Sequence, residues 1–288
     1  MKIVTHNGHF HGDEVFAVAT LLLKYPDAEV IRSRDPNVIA QGDIVLDVGH
    51  IYDFNLMRFD HHQSQGAGER TNGIPYASSG LIWKHFGEEI AGGKEEAQLI
   101  DDVIMTPLDA EDNAKVFSTA IVAGLKEYSL GDFVESFARG TNTLQSSEEA
   151  FFKALVPCRE LLKREIDIAR QRVLDWNKVR DIYEKSEDKH IIVLNTYLSW
   201  GRALIETEAL FVIYPRTDGS WGVQGVLKEP NTFMRKKLFP VSWAGLDGED
   251  LVKKTGVLDA TFCHRSRHLA GAKTKESAIA LAEIALNA

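Results

Sequence analysis

Near the start of the chain KIVTH (2–6), rich in β-branched residues, gives way to DEVFAVATLLLKY (13–25), a helix-length apolar pattern with acidic residues in its first turn. AEVIRSR (28–34), DIVLDVG (43–49) and MRFDHH (57–62) read as further strands, and SSGLIWKHFGEEI (78–90) as a helix started by Ser78 or Ser79. Strands alternating with helices at these lengths point to a parallel sheet with helices on its faces, because parallel neighbours need a crossover of about a dozen residues or more. The expected fold class is therefore α/β.

From about residue 94 to 185 the pattern is helical. In EEAFFKALVPCRELLKREIDIARQRVLDW (148–176) the apolar positions recur at three- and four-residue steps, which predicts a long connecting helix interrupted near Pro157. HIIVLN (190–195), ALFVIYPR (209–216) and WGVQGVL (221–227) then read as strands and TKESAIALAEIAL (274–286) as a closing helix. The expected division is an N-terminal domain over 1–145, a helical connector over 146–185 and a smaller α/β domain over 186–288. No fixed-period repeat or low-complexity tract interrupts it.

A chain of 288 residues with 44% hydrophobic content can bury a full core. The formal charge of −9 argues against an extended grip on a long duplex, since such affinity comes from Lys and Arg neutralising phosphates. A short anionic substrate, with metal ions supplying positive charge, remains compatible. Two distant cysteines, Cys158 and Cys263, give neither a disulfide framework nor a zinc ribbon. The first residues carry no basic leader, and the longest apolar run, VFAVATLLL, is about half a membrane span. A soluble, cytoplasmic protein without a membrane partner is the expectation; a homodimer is allowed but not argued for.

Four polar clusters stand where predicted strands end. THNGHFHGDE offers His6, His9, His11 and Asp13; DIVLDVG offers Asp47; FDHHQ offers Asp60, His61 and His62; DAEDN offers Asp109, Glu111 and Asp112. In an open parallel sheet, ligands bind just beyond the carboxyl ends of the strands, where residues distant in sequence converge. Singly, each cluster has a plainer reading: an aspartate as a cap or turn former, paired histidines as a hydrogen-bonded strand end, the first-loop histidines as partly exposed loop residues. Their recurrence at equivalent points of one sheet favours a metal site. Carboxylates and imidazoles without thiolate suit Mn²⁺, Mg²⁺, Fe²⁺ or Co²⁺ better than structural zinc. The surplus over four ligands fits two ions about 3.5–4 Å apart, sharing a carboxylate and activating water for attack on phosphorus.

DHH at 60–62, with Asp47 before it and the His-rich first loop, resembles the DHH phosphoesterase superfamily. Over nearly the whole chain, THNGHFHGDE, RSRDP, DIVLDVG, RFDHHQ, SSGLIWKHFG, DAEDN, FVIYPRTDGSWGVQGV, LFPVSWAGL, ATFCH and GAKTKESAIALA resemble the melanocyte-proliferating-gene family of metal-dependent hydrolases. The resemblance implies a two-domain DHH-type fold, with a catalytic metal domain first and a substrate-binding domain closing over it. It further implies His6, His11, Asp13, Asp47, Asp60 and Asp109 as metal ligands, Asp47 bridging. Asp60, His61 and His62 would act in catalysis, one histidine facing the phosphate or binding metal.

HRSRHLAGAK (264–273) concentrates cations in an acidic protein, and His264, Arg265, Arg267 and Lys273 are candidate substrate contacts, against the plainer reading of a solvated turn. His85, Arg34 and Asp35 read as structural, and Trp200, Trp221 and Trp243 as core or interface anchors more than a base-stacking platform. Together with these residues the family resemblance implies phosphodiester hydrolysis by a dinuclear, Mn²⁺-preferring centre and its bridging hydroxide, as a 3′-to-5′ exonuclease on short RNA or oligonucleotides. Mg²⁺ or Co²⁺ are the alternative ions. The alternative activities are a small-molecule phosphatase or pyrophosphatase, and a non-catalytic metal or nucleotide sensor.

Overall fold

The computed structural model describes residues 1–115, 124–125, 127–230 and 232–288, and the chain divides into two units, Met1–Arg170 and Gln171–Ala288. The first unit begins β1 (Lys2–Thr5), α1 (Gly12–Lys24), β2 (Glu29–Arg32), α2 (Pro36–Ala40), β3 (Ile44–Leu46), β4 (Tyr52–Asp53), β5 (Arg58–Phe59) and α3 (Ser78–Ala91). Its sheet runs β2-β1-β3-β5-β4. The first four strands of that order are mutually parallel, while β4 pairs antiparallel with β5 at the edge. The expectation of an all-parallel sheet is thereby corrected: Tyr52 and Asp53 form a strand of two residues, too short to leave a period in the sequence.

Helix α1 is buried on nearly every side, from Gly12 through Leu22. It packs on α3 and on two helices further along, which explains why its sequence is apolar almost throughout rather than along one stripe. After α3 come α4 (Lys94–Ile100), a π-helical turn (Asp101–Met105) and α5 (Thr106–Asp112), consecutive in the chain, and then α6 (Leu130–Ala138). DAEDN therefore lies at the end of a helix and not at a strand end.

Helix α7 (Leu144–Lys185) runs without a break through Pro157, contrary to the expected interruption. Proline removes one intrahelical N–H, yet Ala154, Leu155, Cys158 and Leu162 around it are buried in the first unit's core, and that packing holds the helix together across the defect. The division between the two units falls inside this same helix.

The second unit continues with β6 (Ile191–Val193), β7 (Phe211–Pro215), β8 (Trp221–Gly225), α8 (Gly248–Thr255), β9 (Ala260–Cys263), β10 (Leu269–Ala272) and α9 (Lys275–Leu286). Its sheet order is β6-β7-β8-β10-β9, with only β6 and β7 parallel. Phe211, Phe239, Trp243 and one face of α9 form its core. Trp200 and Trp243 are both buried, as core residues rather than stacking surfaces. No helix among the described residues is long and apolar enough to cross a membrane.

Candidate metal centre

Strands β1, β3 and β5 are neighbours and parallel, so their carboxyl ends lie side by side. His6 follows β1, Asp47 follows β3, and Asp60, His61 and His62 follow β5. The first turn of α1 adds Asp13 and Glu14, and the last residue of α5 is Asp112. Side chains from five separate segments thus meet beyond one sheet edge, as the strand pattern anticipates.

Asp47 is the centre of the cluster. One carboxylate oxygen, Oδ2, lies 3.1 Å from His6 Nε2, and the other, Oδ1, lies 3.3 Å from His61 Nε2. Ser78 Oγ donates to Oδ1 at 3.1 Å and also reaches the Phe59 carbonyl. Asp47 holds a left-handed backbone (φ 55°), a conformation that costs free energy and re-aims its side chain after the strand. His6 Nε2 also lies 3.0 Å from Glu14 Oε1, and His61 Nε2 lies 3.1 Å from Asp112 Oδ2 and 3.9 Å from Asp13 Oδ2.

Four overlapping sets of side chains have ligand atoms close enough to share a cation: Asp47, His61 and His62; His6, Glu14 and Asp47; His11, Asp13 and Glu14; and Asp13, His61 and Asp112. Both Asp13 oxygens, Glu14 Oε1 and His61 Nε2 are buried without a hydrogen-bond partner among the described residues. Buried polar atoms left unsatisfied are expensive. Oxygens and imidazole nitrogens crowded together but misaligned for hydrogen bonding are the arrangement a cation completes, and the absence of thiolate favours a hard or intermediate divalent ion.

Electrostatics agree. Burial acts to lower the His6 imidazole, but Asp47 and Glu14 overcome it and push it up to about 10. At His61 burial acts the same way, and Asp112 and Asp47 again raise it to about 10. Burial would raise Asp47, yet both histidines hold its carboxyl well below the usual range. Asp13, buried and facing Asp47, Asp112 and Glu14, is driven well above it. Without cations the centre balances its carboxylates with protons.

Asp60 has another task. Its Oδ1 accepts from the His62 N–H at 3.1 Å and lies 2.7 Å from His62 Nδ1, while its Oδ2 accepts from the His50 N–H at 2.6 Å. Burial would raise the Asp60 carboxyl, but the bonds from His62 and His50 lower it. Asp60 in turn raises His62. Among the described residues Asp60 belongs to none of the cation-sharing sets, where the resemblance implied a ligand, and its contact with Nδ1 orients the His62 ring.

Asp109 is also diverted. Fully buried, it accepts from Ser79 Oγ at 2.6 Å, the Gly80 N–H at 2.9 Å and Arg70 Nη1 at 2.5 Å. Asp112, one turn further on, is the member of DAEDN that reaches the centre. Ser78 and Ser79 do not cap α3, whose cap position is Ala77; their hydroxyls hold Asp47 and Asp109 instead.

A cavity of about 1480 Å³ opens over the cluster, lined by His6, His11, Asp13, Asp47, His61 and His62 among others. Its wall also carries Glu111, Glu127, Asp132 and Glu135, with Arg34 and Lys115 as the Arg and Lys side chains among the described residues. His9 is exposed, its ring edge-on to that of His11. His85 is structural, its Nε2 2.9 Å from Tyr52 Oη and its ring stacked on Phe54. Asp35 caps α2 through the Asn37 N–H.

The remaining candidates lie in the second unit. Ser266 Oγ sits 2.7 Å from His264 Nδ1 and 2.6 Å from His268 Nδ1 on the turn between β9 and β10. Arg267 donates to the Phe239 carbonyl at 3.1 Å, and Arg265 and Lys273 are exposed.

Fold and centre together define a class: an α/β protein whose first sheet presents a buried carboxylate–imidazole cluster able to hold divalent cations. A family model described as Uncharacterised protein family (UPF0160), MYG1_exonuc, matches residues 2–286, and the chain belongs to that family. Its relatives include MYG1 protein C694.04c of Schizosaccharomyces pombe, 30% identical over 100% of this chain and 98% of the relative. The MYG1 exonuclease of Homo sapiens is 29% identical over 99% of this chain and 85% of its own length. A MYG1 protein of Chlamydia trachomatis is 30% identical over 96% and 93% respectively.

Proposed function

We propose that the protein is a metal-dependent phosphodiester hydrolase of the DHH type, acting as a 3′-to-5′ exonuclease on short RNA or oligonucleotides. The observation that carries this reading is the set of buried, unsatisfied ligand atoms of Asp13, Glu14 and His61 gathered around Asp47 at the floor of an open cavity. The exonuclease name of the human relative supports the reaction class.

His6, His11, Asp13, Glu14, Asp47, His61 and Asp112 would hold the divalent ions, two of them on this reading, with Mn²⁺ as the proposed ion and Mg²⁺ or Co²⁺ as alternatives. When bound, such ions would supply positive charge for the phosphoryl oxygens and lower the pKa of water. The chain's own residues do the rest. Asp60 fixes the His62 ring through Nδ1, which leaves Nε2 as the group to donate a hydrogen bond or a proton to the departing oxygen. Its backbone bonds to His50 and His62 hold Asp60 in turn. His264, Arg265, Arg267 and Lys273 are proposed as substrate contacts of the second unit, where guanidinium and ammonium groups suit phosphate.

The acidic wall of Glu111, Glu127, Asp132 and Glu135 favours a second reading, a phosphatase for small anions, because it repels a long polyanion. Incubating a 5′-labelled RNA of a few nucleotides with Mn²⁺ separates the two. A ladder from wild type that is absent from Asp47→Asn supports the exonuclease; turnover of pyrophosphate or nucleotides alone moves the assignment to the phosphatase. Metal binding with no phosphoester turned over would sink both.

A further inference from the structure

The loop from Asp47 to His50 contains three residues with left-handed backbone among four: Asp47 (φ 55°), Gly49 (φ 96°) and His50 (φ 56°), with only Val48 between the first two. Glycine adopts such angles freely, whereas a side chain there meets steric resistance. For Asp47 the reason is plain, since its carboxylate is the centre of the cluster. His50 needs a separate explanation.

The backbone does not supply one. What the fold takes from His50 is its N–H, donated to Asp60 Oδ2 at 2.6 Å, and a glycine would offer the same donor without the strain. Nor does packing, because the residue is exposed. It belongs to none of the sets able to share a cation among the described residues. Its ring instead lines the cavity beside His62, with centroids 6.3 Å apart and planes at 79°. A backbone outlier kept at the mouth of a site, with an uncommitted side chain, points from strain to function.

We propose that His50 is a second imidazole that contacts the substrate's phosphoryl group, binding it together with His62. The inference rests on the phosphoester reading and deepens it. The 6.3 Å between ring centroids leaves room for one tetrahedral oxyanion to meet both imidazoles. Asp60 builds the pair, fixing His62 through its ring and His50 through its backbone, so one carboxylate sets both imidazoles at the cavity mouth. The strained backbone is then the condition for aiming the second ring.

The test compares Mn²⁺-loaded wild type with His50→Gly and His50→Ala, titrating inorganic phosphate by calorimetry and recording melting temperatures and Mn²⁺ affinity. Both variants are expected to bind phosphate about tenfold more weakly, the loss of one hydrogen bond to a charged group, with Mn²⁺ affinity unchanged. Only glycine is expected to raise the melting temperature, because alanine removes the ring and keeps the strain. Phosphate affinity equal to wild type in both variants overturns the proposal, as does a wild type that binds no phosphate. A melting temperature lowered in both, with phosphate binding intact, assigns the ring to packing and overturns it as well. These readouts need no turnover, so a wild type that cleaves no oligonucleotide defeats the exonuclease reading alone and leaves the phosphate result to decide His50.

Discussion

Arg70 Nη1 donates to Asp109 Oδ2 at 2.5 Å while Nε and Nη2 hold Asp101 at 3.1 and 2.7 Å, so one guanidinium joins two carboxylates of the helical run that ends at Asp112. Arg70 lies in the loop that begins at Asp60, and its face rests 4.4 Å from the Tyr76 ring centroid. Burial would lower the guanidinium, but Asp101 and Asp109 raise it further, and the group stays charged. The loop bearing His61 and His62 is thereby fastened to the helix bearing Asp112.

Replacing Arg70 with Met leaves the Asp109 carboxylate buried without its cation, held only by Ser79 Oγ and the Gly80 N–H. The expected loss is about 3–5 kcal/mol of stability, the usual consequence of removing one partner from a buried pair, read from urea unfolding. Gly80→Ala is expected to unsettle the same network, because a Cβ there would fall 1.8 Å from Asp109 Oδ2. A midpoint unchanged in either variant would contradict the role given to Arg70.

The ligand role proposed for Asp47 and the orienting role proposed for Asp60 can be tested apart. Asp47→Asn is expected to abolish tight Mn²⁺ binding, whereas Asp60→Ala is expected to bind Mn²⁺ and lose about 10²–10⁴-fold in turnover as His62 loses its anchor. Calorimetry and a cleavage assay on the same preparations decide it. Loss of metal from Asp60→Ala would return Asp60 to the ligand set.

The apparent conflict between burial and charge at His6 and His61 predicts proton release. Both are raised to about 10 without metal, so near neutral pH both are protonated, and their stabilising effect in the metal-free protein is present below about 6.5 and lost as pH rises through 10. A ligating imidazole is neutral, so Mn²⁺ should displace about one to two protons and bind more tightly as pH rises. Binding heats measured in buffers of different ionisation enthalpy will differ if this is right and coincide if it is wrong.

The strand ends carried most of the centre in plain view. His6, Asp47 and His61 each follow a run of β-branched or aromatic residues, and adjacent parallel strands bring such positions together. Glu14 escaped because an acid in the first turn of a helix has a sufficient local explanation in the helix dipole. Within DAEDN the sequence does not distinguish Asp112 from Asp109, since helical phase through a π turn cannot be read from composition. Asp60 was legible as important, but its role as an anchor for His62 and His50 depends on hydrogen bonds between segments. Strand β4, with two residues, left no pattern to read.

Both cysteines are predicted to be inert in the folded protein. Burial pushes the Cys158 thiol up to about 12 and the Cys263 thiol up to about 11. Iodoacetamide near pH 8 should label neither until denaturant is added. Rapid labelling of the native protein would show that one of these cores opens readily.

The π turn at Asp101–Met105 acts as a phase adjustment in the helical run. An uninterrupted α-helix would set Asp101 and Asp109 about 80° apart around its axis; the wider turn absorbs one residue and brings them to within about 20°, so that one guanidinium can serve both. A one-residue deletion in this turn would conserve that alignment only if the wide turn relaxed to α geometry, and a deletion elsewhere between 101 and 112 would swing Asp112 by about 100° away from His61. The distance from the π turn to the end of α5 is thus a fixed length in this chain, and insertions or losses belong in its loops.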